Sequence, residues 1–202
     1  MNCFIDKSKS LIIISSACLI FSCNNKSNNT EINNVLPIKN NDNIIYNNDN
    51  VIIYGDTTID KDKIYYTSIK FEPYISFEDY KVSLVDNQSK AKLDFSSNKE
   101  AYNYRTKLRE AYKSDTSNFA GHYTLVYWGC GSNCKSSMII DRQTGKIYDS
   151  PSSSLGYEYY PDSRMLLVNP PDSNGFYDDC LYCKPEIHIF DEKTKTFREI
   201  KP

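Results

Sequence analysis

HYTLVYWGCGSNCKSSMIIDRQTGKIY, residues 122–148, decides the fold. Its aromatic, β-branched and aliphatic residues fall into three short runs, His122 to Trp128, Ser137 to Ile140 and Lys146 to Tyr148, separated by glycine and small polar residues. That spacing reads as strands joined by tight turns. Asp141-Arg142-Gln143-Thr144-Gly145 opens on an aspartate with a threonine three residues on, where both side chains can bond turn amides and close a hairpin.

The same arrangement returns near the C-terminus. Cys130 and Cys134, then Lys135, lead through a strand to Asp141; Cys180 and Cys183, then Lys184, lead through Glu186 to Phe190 to Asp191-Glu192-Lys193-Thr194-Lys195 and a last strand, Thr196 to Ile200. Such an internal repeat implies two stacked antiparallel meanders. The units also resemble blades of a β-propeller, so an all-β, propeller-blade-like architecture is the alternative, although two blades cannot close a ring. A further strand is expected at Arg164 to Asn169.

Upstream, Ala101, Tyr104, Leu108, Ala111 and Tyr112 recur at helical spacing behind Ser97 and Glu100, which form an S-x-x-E capping box. One helix near 98–113 is therefore expected, and the fold class is α+β, mostly antiparallel β meanders. Lys63 to Phe71 alternates as a strand does, and Lys81 to Val85 and Lys90 to Phe95 are expected to add short ones.

Three segments follow from the N-terminus. Lys7 and Lys9 precede the apolar run Leu11 to Phe21, which has signal-peptide length and is too short to span a bilayer, since a crossing helix needs about 20 residues. Ile20-Phe21-Ser22-Cys23 resembles the lipobox of bacterial lipoproteins, which implies a signal peptide over 1–22, acylation of Cys23 (palmitate among its lipids), a membrane anchor, and a place in the bacterial cell envelope, expected at the outer membrane. From Asn24 to Asn50 twelve of 27 positions are asparagine. Residues 23–50 thus read as a lipidated cysteine and a solvated tether, and 51–202 as one globular domain.

Composition narrows the function. With 24 basic and 26 acidic side chains the formal charge is −2, which gives no reason to expect a nucleic-acid partner. The seven glycines complete no phosphate-binding loop. A 40% apolar content is enough for a core, and 25% charged residues exclude a polytopic membrane protein.

The stretches RTKLREA (residues 105–111), NFAGHYTLVYWGCGSNC (118–134), DRQTGKIY (141–148) and PDSRMLLVN (161–169) are similar to an uncharacterised family of exported bacterial proteins with an F-A-G-H-Y turn and a W-G-C-G-x-x-C segment. The resemblance spans residues 77 to 170. It implies a helix followed by strands and an exported location, and brings no catalytic role.

Four cysteines belong to the domain: Cys130, Cys134, Cys180 and Cys183. In an oxidising compartment disulfides are expected, with three pairings open. A four-thiolate zinc site is the rival, and a redox role for the C-x-x-C at 180–183 the third reading, weakened because Pro185 and the strand after it offer no helix N-terminus to activate a thiol. No cofactor is otherwise expected. His122, at the mouth of a strand behind Gly121, is the best general-base candidate, although a turn or core role is the commoner use of such a residue. His188 alternates with Ile187 and Ile189 and is expected to face solvent. Asp172, Asn174, Asp178 and Asp179 gather oxygen ligands near a turn and are candidate calcium ligands, with a plain polar turn as the ordinary reading. No further catalytic set is present. The expected function is a membrane-anchored binding module for an envelope protein, peptide or glycan. The alternatives are a His122-based hydrolase or cysteine-based redox enzyme, and a purely structural envelope protein.

Overall fold

The structure, a computed structural model, describes residues 44–56, 63–85, 90–114 and 116–202. Cys23, the signal segment and the tether as far as residue 43 lie outside the described residues.

Eleven strands are described: β1 (Ile44–Asn47), β2 (Val51–Asp56), β3 (Lys63–Lys70), β4 (Tyr123–Gly131), β5 (Cys134–Asp141), β6 (Ile147–Ser153), β7 (Tyr157–Tyr159), β8 (Met165–Val168), β9 (Phe176–Asp178), β10 (Glu186–Asp191) and β11 (Thr196–Ile200). They form three antiparallel sheets, ordered β1-β2-β3-β9, β4-β5-β6 and β11-β10-β8-β7. Short 3-10 turns at Phe77–Tyr80 and Phe95–Ser97 accompany them, with one longer helical segment, a 3-10 stretch Glu100–Tyr104 running into α1 (Arg105–Ala111). The fold is the expected α+β arrangement of antiparallel meanders, and no barrel closes.

Two of the sheets pack face to face. Leu125 of β4, Ile139 of β5, Leu166 and Val168 of β8 and Phe190 of β10 meet between them around Phe119 and Tyr123. The alternate residues of β4-β5-β6, Val126, Trp128, Met138, Ile140 and Ile147, take the opposite face and pack under Ala101, Leu108 and Tyr112 of the helical segment. Met165, Leu167, Ile187 and Ile189 likewise turn to the outer face of the other sheet, covered by Phe71, Ile75, Phe77 and Tyr80. Both central sheets are therefore buried on both faces, which is why β5 and β8 read as unbroken apolar runs, Met138-Ile139-Ile140 and Met165-Leu166-Leu167-Val168. A fully buried side chain such as Leu108 contributes about 1.5–3 kcal/mol.

The helix stripe read from sequence is the buried face of α1, but its cap is different. The Asn98 carboxamide oxygen accepts from the N–H groups of Glu100 (2.9 Å) and Ala101 (3.2 Å), so Asn98 closes the helix start. Ser97 is diverted: its hydroxyl donates to the Asp94 carbonyl (2.6 Å) and accepts from Ile147 N–H (2.9 Å), tying the helix entrance to β6. Lys81 to Val85 and Lys90 to Phe95 are not strands. Each makes one isolated bridge, Lys81 to Ser163 and Asp94 to Lys146, because each crosses a hairpin end rather than a sheet edge. Residues 44–50, assigned to the tether by composition, instead supply β1 and its turn: Ile44 and Tyr46 pair with Tyr54 and Ile53 of β2.

The repeat is visible in the turns. Asp141 Oδ1 accepts from the N–H groups of Gln143 and Thr144 at 2.8 and 3.3 Å, and Asp191 Oδ1 accepts from those of Lys193 and Thr194 at the same two distances. The fifth residue is left-handed in both, Gly145 at φ +76° and Lys195 at +59°. Glycine is required only in the first. A Cβ on Gly145 would lie 2.0 Å from the Lys92 carbonyl oxygen, since the 91–94 segment bonds directly across that turn.

Candidate binding site at the disulfide end

Each meander has two ends. The Asp-x-x-Thr turns mark one, and the cysteine loops mark the other. Cys130 pairs with Cys134 across the β4–β5 turn, and Cys180 with Cys183 in the loop before β10, each at a Cα separation of 5.1 Å. Of the three pairings open from sequence, the one made of two local bridges is observed. Each sulfur is thus taken up within its own loop, not gathered with the other three as a zinc site needs.

Asn169 ties the second of these loops to the neighbouring β6–β7 loop. It follows β8 at φ +53°, a conformation that asparagine tolerates better than other side chains, and is almost fully buried. Its Oδ1 accepts from the N–H groups of Ser154 (2.8 Å) and Leu155 (3.0 Å), with the Ser153 hydroxyl also at 2.9 Å. Its Nδ2 donates to the carbonyls of Tyr182 (3.1 Å) and Lys184 (3.3 Å). One carboxamide therefore joins the β6–β7 loop to the Cys180–Cys183 loop. Tyr157 adds a second brace. Its hydroxyl is shared between the carbonyls of Lys135 (2.9 Å) and Pro151 (2.8 Å), and burial pushes its pKa up, partly offset by a hydrogen bond with Ser137.

Around this frame lies a recess of about 400 Å³, lined by Asn133, Ser152, Ser154, Tyr182, Lys184 and Glu186 among others. Leu181 and Tyr182, both lining the recess, stand 83% and 69% exposed on the disulfide-closed loop. Short loops locked by a disulfide and a buried amide lose little entropy when a ligand settles on them. The recess offers hydroxyls, an amide, one ring, and one charge of each sign.

The other expected residues are placed as follows. His122 enters β4 from the left-handed pair Ala120-Gly121. Its ring is tilted against Tyr123 at 4.2 Å between centroids, and its Nε2 is 3.7 Å from Asp141 Oδ1, beyond hydrogen-bond reach. That carboxylate oxygen is already held by two turn amides, so His122 has no carboxylate bonded to orient it. His188 does turn away from Ile187 and Ile189, but onto a groove between β6 and β11, with its Nε2 3.1 Å from Glu186 Oε2 and its side chain 12% exposed. Asp172 Oδ1 accepts from the N–H groups of Asn174 and Phe176, both at 2.9 Å. Asp178 accepts from the Ser68 hydroxyl at 2.8 Å, and Asp179 donates its N–H to the Thr67 carbonyl. The Asp172 carboxylate thus serves its own turn and the Asp178 carboxylate the β3–β9 pairing, while Asn174 and Asp179 take part through their backbone N–H groups. Among the described residues no group of three or more His, Cys, Asp or Glu side chains is arranged to hold a metal ion.

Two residues escaped the sequence reading. Asn169 is one, and its signal was faint: an asparagine between an apolar run and Pro170-Pro171. The other is Arg142, which looks like a solvated turn residue and is fully buried. Its guanidinium donates to Thr124 Oγ1 (3.0 Å) and to the carbonyls of Ser114 (3.0 Å) and Thr116 (3.2 Å), and lies over the Tyr112 ring. It fastens the chain leaving α1 to the hairpin end.

No family model matches this chain, and no curated protein and no solved structure matches it.

Proposed function

We propose that this is a lipid-anchored protein of the bacterial envelope, held through Cys23 with an outer-membrane location, and that it acts as a binding module rather than an enzyme. Its ligand is taken at the disulfide end. The observation that carries this reading is the Asn169 lock: a buried carboxamide fixes the β6–β7 loop to the disulfide-closed 180–183 loop, while Tyr182 is left exposed beside a polar recess. A ring flanked by hydroxyl and amide groups suits a neutral, hydroxyl-rich ligand, so an envelope glycan is favoured over a charged one. His122, with no oriented carboxylate, and the Cys180–Cys183 pair, before a strand, do not supply a catalytic set.

The test is binding of the purified chain to arrayed envelope oligosaccharides. Binding lost in Tyr182→Ala and kept in His122→Ala is expected. Turnover of such an oligosaccharide that disappears in a folded His122→Ala protein would overturn the reading.

A further inference from the structure

Among the described residues strand β4 is an edge of its sheet, its one partner strand being β5. Its outward backbone groups alternate with those bonded to β5. At Tyr123 the outward N–H donates to the Phe119 carbonyl (2.9 Å), and the carbonyl accepts from Asn118 and Phe119. At Leu125 the Asn118 side chain does what a neighbouring strand would do: its Oδ1 accepts from Leu125 N–H at 2.7 Å and its Nδ2 donates to the Leu125 carbonyl at 3.0 Å. By the same alternation Tyr127 and Gly129 also face outward, and no hydrogen bond to their outward N–H or carbonyl groups is made among the described residues.

This bare half-edge is unlike the other edges. Strand β11 carries Arg198 and Glu199, β7 carries Glu158, β6 carries Asp149 and Pro151, β9 carries Asp178, and β1 has four residues with an irregular register. Charges, proline and shortness are the usual protections against unwanted pairing. Strand β4, Tyr-Thr-Leu-Val-Tyr-Trp-Gly-Cys-Gly, has nine residues and no charge, and its register with β5 is regular from Tyr123 to Gly129, shifting only beyond it, between Gly129 and Gly131. Its Tyr127 is 50% exposed with the Tyr157 ring 5.6 Å away, and a Cβ on Gly129 would meet nothing within 4 Å.

We propose that the Tyr127–Gly129 edge of β4 takes an extended polypeptide segment of a partner protein as an added strand, continuing from the point where Asn118 stops. Two N–H groups and two carbonyls, two residues apart and lying in the sheet plane, match the spacing of another backbone. The absence of charge along β4 calls for an uncharged segment, with an apolar side chain to lie against Tyr127. This surface is separate from the recess beside Tyr182, and the inference does not rest on the glycan reading.

The test uses a displayed library of linear seven-residue peptides selected against the whole chain. Its key variant is Gly129→Pro, which deletes an outward N–H while leaving the ladder to β5 intact, because proline is tolerated on an edge where its nitrogen faces solvent. Gly129→Ala controls for the added side chain. Selected peptides are expected to slow amide exchange at Tyr127 and Gly129, to bind Gly129→Pro at least tenfold more weakly, and to bind Gly129→Ala as they bind the parent. Native folding of Gly129→Pro is checked by its circular dichroism and its unfolding midpoint. Should it fail to fold, Asn118→Ala is the second variant: by freeing the Leu125 groups it lengthens the open edge and is expected to tighten binding. Peptides that ignore both variants, or a selection yielding none, overturn the proposal. Dimerisation of the chain without peptide, abolished by Gly129→Pro, overturns the assignment to a partner and gives the edge to a second copy.

Discussion

Replacing Asn169 by alanine tests the central brace. The substitution removes the acceptor for the Ser154 and Leu155 amides and the donor for the Tyr182 and Lys184 carbonyls. Each partly buried group left unpaired costs about 1 kcal/mol, allowing for water reaching some of them. Alanine at φ +53° adds about 1 kcal/mol of backbone strain. The expected loss is about 4–5 kcal/mol, a large share of the about 5–15 kcal/mol that holds an ordinary domain together. Equilibrium urea unfolding measures it, with amide exchange over 180–184 reporting whether the disulfide loop loosens first. Two companions separate causes. Asn169→Gly relieves the strain but lacks the same bonds, so its loss is about 1 kcal/mol smaller than that of the alanine variant. Asn169→Asp keeps the acceptor and sets a carboxylate oxygen against two carbonyls, so it is as damaging as alanine at neutral pH and recovers in acid as the carboxyl gains a proton. A loss under about 1 kcal/mol in Asn169→Ala, or an aspartate variant as stable as the parent, would refute the account.

Three further outcomes are expected. Gly145→Ala, whose Cβ would be driven to 2.0 Å from the Lys92 carbonyl, destabilises by about 3 kcal/mol in thermal unfolding, whereas Gly129→Ala, in open space, changes stability by under about 0.5 kcal/mol. Arg142→Met keeps the volume and loses three hydrogen bonds, so about 2–4 kcal/mol is lost, and protease cleavage between 113 and 118 becomes faster. The pH dependence has two arms. Backbone N–H of Ser76, the Ser96 hydroxyl and backbone N–H of Lys193 hold the carboxyls of Asp79, Asp94 and Asp191 below the usual range. The unfolded chain therefore takes up protons first, and the stability these groups contribute is full above about pH 4 and falls away below it. Asp191→Asn flattens that arm in acid titrations followed by circular dichroism. Burial pushes the Tyr123 phenol well above its usual value of about 10, so the unfolded state ionises first and stability declines as pH rises past about 10. Tyrosinate absorbance that rises gradually, with no step coincident with unfolding, would contradict the alkaline arm.

The strands and turns that could be read were those whose partners lie close in the chain. The β5–β6 and β10–β11 hairpins announce themselves through Asp-x-x-Thr, and the helix through its stripe of Ala101, Leu108 and Tyr112. Of the strands not read, β7 and β9 have three residues each, β1 lies in the asparagine-rich stretch and hides its hairpin with β2, and β9 adds to β3 through Ser68 and Asp178, more than a hundred residues apart, with nothing local in Phe176-Tyr177-Asp178 to signal it. Ser97 and Asn98 compete for one cap, and only the position of Ile147, whose N–H claims the Ser97 hydroxyl, decides between them. The disulfide loops were legible as cysteine pairs but not as a site. What makes them one is Asn169, whose role depends on a left-handed backbone and on carbonyls from a loop that begins eleven residues later.

The two ends of the repeat differ in how far their polar groups are used up. At the turn end the first Asp-x-x-Thr hairpin is roofed by residues 91–94, its aspartate is bonded to its own amides, and the buried Arg142 is spent on carbonyls. The second turn has no such roof, and Lys195, in the place of Gly145, sends its ammonium to the Tyr123 hydroxyl at 2.5 Å. His122 stands in this consumed region, so a base there would lack an orienting partner. At the disulfide end the loops joined by Asn169 have their backbone equally well satisfied, yet Tyr182, Leu181 and Lys184 remain exposed. Rigid backbone beneath unengaged side chains is what a preformed binding surface requires, and it is the physical reason to look for function at that end.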